Sequence, residues 1–587
     1  MELLPHQLRA LKAIQQVARK HLVAPNHDLC GSLAVLRMGL GKTVMAMAHA
    51  FMLPRPPDYG TVHGTSGFPT LVVASKTVMT MWQLDGFEKF MVPGAVRVLY
   101  LHKDWMSKAE IDALDRRTVC SYDVVVTTYD VVRNLAAKFP ETMRDCVLEY
   151  GREGVWNENP NKVRLVHMRR RADADHPDWT GIRVLYGTPW ELVVADESQR
   201  FANHETKTFR AMMGLYGRHK LCLTGTPIRN YKTDLWAQFR WMGYSGVQHA
   251  NMWSPHYMSA HRLLDHIIAI DYADTNIVMP PQTSQRHSIH FTPFEQTVYD
   301  FVRTKAKEAL DLMLKNKLSF VCVLALFTRL RQVCIAPYLL TTMSKRQPKS
   351  VAAGQGLLGD GFDATDDSYI GQVMAEMAAD GPMWSVIKDK HGPAGVQSSK
   401  VQAILKLLHD IPPGDKVLVF SMFTSVLDLV ASALPQEHFA QLDGDTKDRV
   451  SALRNFKTNP DCKVLFVTFG VGSEGLNLAQ ANHVICVEPW WTYAVPDQAR
   501  ARAWRPGQTK TVVMHDIVVE NSIENYILQI CAAKRVMARS FLGEKDLASL
   551  SETANAATTR LNADMLKQIL RCCRIERAAR VSHVRRT

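Results

Sequence analysis

Short apolar runs rich in β-branched residues, each closed by Thr, Ser, Asp or Gly and followed by a helical pattern, recur along this chain. That rhythm is the signature of parallel α/β sheets, whose strands are buried on both faces and so read as continuous apolar stretches. A first set comprises Ser32–Leu36, Thr70–Ala74, Asp123–Thr127, Glu191–Ala195 and Lys220–Thr224. A second comprises Lys416–Ser421, Phe439–Leu442, Lys463–Thr468, His483–Val487 and Thr511–Val518. Two α/β lobes are therefore expected. In open parallel sheets ligands sit beyond the carboxyl ends of the strands, so chemistry is sought in the polar residues that close these runs.

At 587 residues the chain exceeds one hydrophobic core and suits about three or four domain-sized pieces. Residues 135–189 form a polar insertion with Trp156, Arg169, Arg170 and Arg171, open to reading as a solvated loop or as a nucleic-acid contact. Residues 293–340 carry a helical period, with an amphipathic run from Phe294 to Leu318. Residues 343–397, including AAGQGLLGDGFDATDDS, have the composition of a flexible linker. The expected division is lobe one at 1–250 with its insertion, a helical region at 251–342, the linker at 343–397, lobe two at 398–545 and a basic tail at 546–587.

Lys plus Arg exceed Asp plus Glu by 70 − 57 = 13, which favours polyanionic partners, either nucleic acid or an anionic membrane. No apolar run is long enough to span a bilayer and no amphipathic anchor stands apart from the folded pattern, so a soluble, intracellular protein with no membrane partner is expected. The 11 cysteines contain no CxxC pair, which removes zinc-ribbon, RING and thioredoxin-type readings; the adjacent Cys572 and Cys573 read as reduced bystanders.

The segment Met38–Thr43, MGLGKT, lies between an expected strand and an expected helix, the arrangement in which backbone amides cradle phosphate at a helix N-terminus. Met38, Gly39, Leu40 and Gly41 would form the cradle, Lys42 would neutralise the β- and γ-phosphates, and the Thr43 hydroxyl would ligate magnesium. Leu36 stands where the first Gly of the fuller GxxxxGKT pattern falls. In ELVVADESQ, Asp196 and Glu197 close a strand, where one carboxylate can hold magnesium and the other orient attacking water; a helix N-cap is the plainer reading. LTGTPIRN follows the next strand, and its hydroxyls can couple the phosphate site to a neighbouring surface or form a simple turn. In QARARAWRPGQ, Arg502 and Arg505 share one face if helical and read as phosphate-directed fingers or as a solvated basic helix.

Taken in order over about residues 4–535, these motifs resemble the SWI/SNF-type DNA-dependent ATPases of helicase superfamily two. LPHQLRAL resembles the opening glutamine motif, TLVVASKTVMTMWQLDGFEKF the next, YDVVVTTYDVV the one after, and WELVVADESQRFAN the acidic box. MPPQTSQRHSIHFTPFEQTVYDFV, LRQVCIAPYLL, SSKVQAILKLL, VLVFSMFTSVLDLV, LDGDT, FVTFGVGSEGLNLAQANHVICVEPWW, RAWRPGQTKTVVMHDIV and SIENYI resemble segments of the helical region and second lobe. Departures are Leu36 and Arg37 for an acidic pair, Ser75 for proline, Gln199 for the acidic-box histidine, Arg229 for glutamine and Trp504 for histidine.

The resemblance implies two RecA-like lobes with ATP and magnesium in the cleft between them. Gln7 would contact adenine and Gly475 would also line the nucleotide site. Double-stranded DNA would lie against Ser75, Lys76, Thr127, Thr128, Thr468, Trp490 and Trp491, mostly through phosphates and without sequence readout. The implied activity is ATP-driven duplex translocation that remodels protein–DNA complexes. A strand-separating helicase, an RNA-dependent ATPase and a hydrolysis-impaired binding factor are the rival readings. No bromodomain-, chromodomain- or RING-like segment is visible, which suits recruitment by a protein partner; the compartment would be the nucleus in a eukaryote, or the host cell or virion for a virus.

Overall fold

All of the expected runs form strands, because each presents apolar side chains to both faces of a sheet and its closing polar residues cannot follow them inside. In this computed structural model the described residues are 3–23, 30–53, 69–138, 181–188, 190–244, 253–315, 317–341, 364–393, 396–446, 448–472 and 476–541. Contacts divide the chain into two compact units whose main spans are Met1–Ile277 and Val278–Arg535.

The first unit contains β1 (Gly31–Leu36), β2 (Thr70–Ala74), β3 (Val98–Leu101), β4 (Val124–Thr128), β5 (Trp190–Asp196), β6 (Gly217–Thr224) and β7 (Ile267–Ile270). They form one sheet in the order β3-β4-β2-β5-β6-β1-β7, with every pairing parallel. Around it lie α1 (Pro5–Val23), α2 (Lys42–Met52) and α3 (Lys76–Met81), among other helices. β1, β2, β4 and β5 are buried at every position, and Ala34, Leu36, Val72, Val194 and Leu221 share a core with Met45 and Met47 of α2.

The second unit contains β8 (Gln282–Ile289), β9 (Val417–Ser421), β10 (Phe439–Leu442), β11 (Val464–Thr468), β12 (His483–Cys486) and β13 (Val512–Val519). The order is β10-β11-β9-β12-β13-β8, again with parallel pairing throughout. Its helices include α4 (Pro293–Leu314), α5 (Phe320–Ile335), α6 (Ala364–Ala379), α7 (Gly381–His391), α8 (Ser399–Asp410) and, up to Arg535, α9 (Ile523–Phe541). A capping box starts α4: Thr292 Oγ1 accepts from Glu295 N at 3.2 Å while Glu295 Oε2 accepts from Thr292 N at 2.9 Å, and Pro293 occupies the first turn. Val298, Val302, Ala306 and Ala309 then form one buried stripe at helical spacing.

The expected pair of parallel α/β lobes is thus present, and three details differ from the expected division. Residues 251–277 belong with the first unit, since β7 completes its sheet, and the second unit begins at Val278 because β8 joins the second sheet. The expected linker is folded over 364–391: α6 buries Val373 and Met377, four residues apart on one helical face, and α7 buries Ile387, all within the core that holds α4 and α5. The Gly- and Asp-rich composition of residues 353–368 masked an amphipathic helix that starts within it. Trp156, Arg169, Arg170, Arg171, Cys572, Cys573 and the basic tail at 546–587 lie outside the described residues.

Candidate active site

The order β5-β6-β1 in the first sheet brings three strand ends side by side, with Val35 opposite Thr224 and Asp196 opposite Leu223. The loop after β1, the carboxylates after β5 and the LTGTP segment after β6 therefore share one edge, beyond the carboxyl ends where such sheets bind ligands.

Arg37 to Gly41 turn the chain from β1 into α2, with Gly39 at φ 83° and Gly41 at φ 80°. Both are left-handed, and a Cβ at Gly41 would lie 2.2 Å from Gln7 Nε2, so only glycine fits there. Gln7 itself is buried, accepting from Leu4 N at 3.0 Å and donating to Leu40 O at 3.2 Å, while His6 Nε2 also lies 3.2 Å from Leu40 O. On the other side Tyr272 donates to Met38 O and Arg37 pairs with Asp271 at 2.8 Å. The departure at Arg37 is thus absorbed by a local ion pair. A cavity of about 310 Å³ beside this loop is lined by residues of α1 (Pro5, His6 and Arg9) and by Asp274 to Ile277.

Lys42 opens α2, and its Nζ lies 3.4 Å from Leu36 O and 3.9 Å from Glu197 Oε1. Thr43 follows in the same first turn. A Cβ on Gly225 would stand 3.6 Å from Lys42 Nζ, which places the LTGTP segment against the same ammonium.

Asp196 is held on three sides: Trp82 Nε1 donates to Oδ2 at 2.9 Å, Glu197 N donates to Oδ1 at 2.9 Å, and Tyr129 donates to its backbone carbonyl at 2.8 Å. Burial, and then the neighbouring Glu197 charge, push its pKa up to about 6 despite the opposing pull of Lys42. Glu197 adopts φ 52° and ψ 53°, a left-handed conformation that is costly for a residue with a Cβ and is concentrated at functional sites. Gln199 Nε2 donates to Glu197 Oε2 at 2.6 Å, and Gln199 Oε1 accepts from Thr224 Oγ1 at 2.7 Å. A neutral amide thus ties the half-buried Glu197 carboxylate to the end of β6. This bridge was not legible in the sequence, where Gln199 stood only as a departure; the signal available was a polar residue two places beyond Glu197 and a hydroxyl closing the next strand.

The other expected site residues fall into distinct settings. Arg502 is buried with Nε 2.9 Å from Gly472 O, and Arg505 Nη1 lies 3.2 Å from Leu476 O; Gly475 lies outside the described residues. Thr127 is fully buried and donates to Leu101 O, Thr128 is buried and accepts from Val131 N, and Ser75 caps α3 through Val78 N. Lys76 is exposed and paired with Asp104, and Thr468 is half-buried at the end of β11. Trp491 is buried in the helical core of the second unit, and the Arg331 guanidinium lies 4.6 Å from the Trp490 ring. Among the described residues no cluster of three or more His, Cys, Asp or Glu could hold a metal ion.

Residues 6–339 match the SNF2-related domain and residues 399–507 the helicase conserved C-terminal domain. A protein of Invertebrate iridescent virus 6 named "Putative helicase 172L" is 38% identical over 564 residues, spanning 88% of this chain and 86% of that protein. "DNA repair protein rad8" of Schizosaccharomyces pombe is 25% identical over 85% of this chain, which spans 51% of that protein's length. Among solved structures, the Sulfolobus solfataricus SWI2/SNF2 ATPase core in complex with dsDNA aligns over 97% of both chains at 19% identity with a TM-score of 0.33. The matched domain over more than half of the chain, together with the viral relative, establishes that this protein belongs to the SNF2-related, SWI/SNF-type family of superfamily-two helicase-like proteins.

Proposed function

We propose that this protein is an ATP-driven motor on double-stranded DNA, hydrolysing ATP with magnesium at the first unit's phosphate loop and remodelling protein–DNA complexes as it moves. The observation that carries this reading is the placement of Asp196 and Glu197 beside Lys42 at the joined ends of β5, β6 and β1. Asp196 is buried and its pKa is raised in part by the neighbouring Glu197 charge, so a cation held at Asp196 would relieve that repulsion. The Asp196 carboxylate and Thr43 hydroxyl are hard oxygen donors of the kind that magnesium takes. Bound there, magnesium would neutralise charge on the β- and γ-phosphates.

Within this reading Lys42 binds the terminal phosphates, Glu197 orients the attacking water and accepts its proton, and the amides of Met38 to Gly41 cradle the phosphate chain. Gln7 belongs to the adenine end, next to the cavity bounded by Pro5, Arg9 and Asn276. Arg502, Arg505 and Gly475 are assigned to the nucleotide cycle on the strength of the family resemblance. Duplex contact is assigned to Lys76, Thr468 and the neighbourhood of Trp490; Ser75, Thr127, Thr128 and Trp491, being buried, would serve through backbone groups or by holding their strand ends in place. The excess of basic over acidic side chains supports a phosphate-dominated interaction, with a protein partner supplying target choice. No helix among the described residues is long and apolar enough to cross a membrane.

ATP turnover measured with duplex DNA, single-stranded DNA and RNA tests the proposal. The largest stimulation is expected with the duplex; stimulation by RNA alone, or by no polymer, overturns it. The Gln199 bridge yields a separate expectation. Gln199→Ala frees Glu197 to rotate, and because misplacement of a catalytic group by about 1 Å can cost on the order of a hundredfold, turnover should fall by about ten- to a hundredfold while ATP affinity is unchanged. Thr224→Val should give a smaller loss, and the double variant should lose no more than Gln199→Ala alone; additive losses would separate the two residues.

A further inference from the structure

Beyond Met81, α3 widens into one π-helical turn, Trp82–Phe87, in which Glu88 N donates to Gln83 O. Such turns carry one residue more than an α-helical turn and recur at functional sites. The extra residue has a local effect here, since Gly86 and Phe87, adjacent in the sequence, are both buried. Gly86 rests on α2, where a Cβ would stand 3.4 Å from both Thr43 Cγ2 and Met47 Sδ. The methyl group of Thr43, rather than its hydroxyl, therefore faces the turn.

Trp82, at the start of the same turn, is almost fully buried, and its ring lines a small cavity with Met47 and Ala50 of α2 and with Val72, Val124 and Val194 of β2, β4 and β5. The indole thus lies between the helix that opens with Lys42 and Thr43 and the strand that ends in Asp196. Its Nε1 donates to Asp196 Oδ2 at 2.9 Å, and Glu197 N donates to Oδ1 at 2.9 Å. One donor on each oxygen holds the carboxylate plane against rotation and leaves about half of its four or so acceptor sites for another ligand. The outer face of the turn is pinned as well: Trp105 Nε1 donates to Gln83 Oε1 and Gln83 Nε2 donates to Glu88 Oε1, each at 3.0 Å.

The identity of the donor matters. An indole N–H is neutral and donates only, so it orients a carboxylate without neutralising its charge, as a lysine or arginine would, and without offering a competing ligand atom, as a histidine or glutamine would. It suits a carboxylate that must keep its charge for a cation. Metal-binding side chains are oriented by outer hydrogen-bond partners of this kind, and loss of such a partner costs about 10–100-fold in metal affinity or activity. We propose that the turn Trp82–Phe87 is a bracket for magnesium at the ATP site, in which Trp82 positions Asp196 and Gly86 seats Thr43, and that it sets how tightly the site takes the metal. The bracket rests on the proposed roles of Asp196 and Thr43 as magnesium ligands. A buried indole that needed only an acceptor for its N–H would contribute stability and nothing else.

Titration of the full chain with a fluorescent ATP analogue, without magnesium and over a series of magnesium concentrations, separates the two roles. In the wild type, nucleotide affinity should rise with magnesium. Trp82→Phe removes the N–H donor and should raise the magnesium concentration at half-effect by about ten- to a hundredfold, with magnesium-free affinity unchanged and turnover regained as magnesium is raised. Val124→Ala, which enlarges the same cavity and keeps the hydrogen bond, should lower the urea midpoint of the first unit and leave the magnesium response as it is. If Trp82→Phe does not fold, the benzothiophene analogue of tryptophan at position 82, which keeps the bicyclic shape and lacks only the N–H, should show the same shift. A wild-type magnesium response in the variant without the donor overturns the bracket while leaving the magnesium site standing, and an equal shift in Val124→Ala reduces Trp82 to packing. A wild type that binds nucleotide with no response to magnesium removes Asp196 and Thr43 as ligands, and the bracket with them.

Discussion

Lys42→Ala is expected to abolish both nucleotide binding and ATP turnover, whereas Glu197→Gln should bind ATP normally and lose turnover by about a hundred- to ten-thousandfold. The two side chains are 3.9 Å apart, yet their assigned roles differ in kind. Lys42 carries the positive charge against the terminal phosphates, a contact made in the bound state as well as in the transition state, so removing it weakens both. Glu197 faces the attacking water, and a glutamine of the same shape keeps the hydrogen bond from Gln199 while losing the capacity to accept a proton; general-base catalysis is worth about 10²–10⁴ in rate. Nucleotide titration with a fluorescent ATP analogue, alongside steady-state turnover, separates the cases. Equal loss of binding in both variants would contradict the assignment, and undiminished turnover in Glu197→Gln would move the base elsewhere.

The largest expected change in stability comes from a pair far from the nucleotide. Lys400 Nζ lies 2.7 Å and 2.8 Å from the two carboxylate oxygens of Glu524, and both side chains are fully buried. Glu524 Oε2 also accepts from Val519 N at 2.8 Å, so the pair joins the start of α8 to the end of β13 and the start of α9. Next to it, Glu295 of α4 accepts from Ser399 N at 2.8 Å, and Tyr299 accepts from Ile523 N at 2.9 Å. Removing one member of a buried pair strands the other without water or counter-charge, at a cost of about 3–5 kcal/mol, whereas replacing both with apolar residues of similar volume is often close to neutral. Lys400→Met and Glu524→Gln should therefore each lower the urea midpoint of the second unit strongly, and Lys400→Met combined with Glu524→Leu should recover most of the loss. Single-variant costs below about 1 kcal/mol would mean that water reaches the pair. The interaction also gives a physical reason for two family-like segments, SSKVQAILKLL and SIENYI, that are remote in sequence: each supplies one half of a buried charge pair.

The strands that escaped the sequence reading are β3, β7 and β8, and each is an edge strand. An inner strand of a parallel sheet is covered by helices on both faces and must be apolar throughout, so it announces itself. An edge strand has one neighbour and less cover; β8, QTSQRHSI, is exposed at most positions and carries no apolar run at all. What places it in the sheet is the backbone ladder with β13, from Val512 opposite Gln282 to Val519 opposite Ile289, a property of the partner rather than of its own side chains. The same distinction separates α6 from the linker expected there, since the burial of Val373 and Met377 depends on a surface that α4 and α5 create.

The sequence by itself determined the α/β class, the inner strands, the position of Lys42 and Thr43 at the start of a helix and that of Asp196 and Glu197 at a strand end, because all of these follow from local signals: an apolar run, a glycine-rich turn, and polar residues that cannot enter a sheet. Only the tertiary structure decided which side chains meet. Trp82 reaches Asp196 across 114 positions, Lys400 reaches Glu524 across 124, and His287 reaches His515 across 228. Such partners are selected by strand order and helix packing, which bring distant segments within hydrogen-bonding range. Once there, a buried polar group must find a partner or bear the cost of desolvation, and nothing in the residues on either side of Gln199, Trp82 or His287 specifies what that partner is.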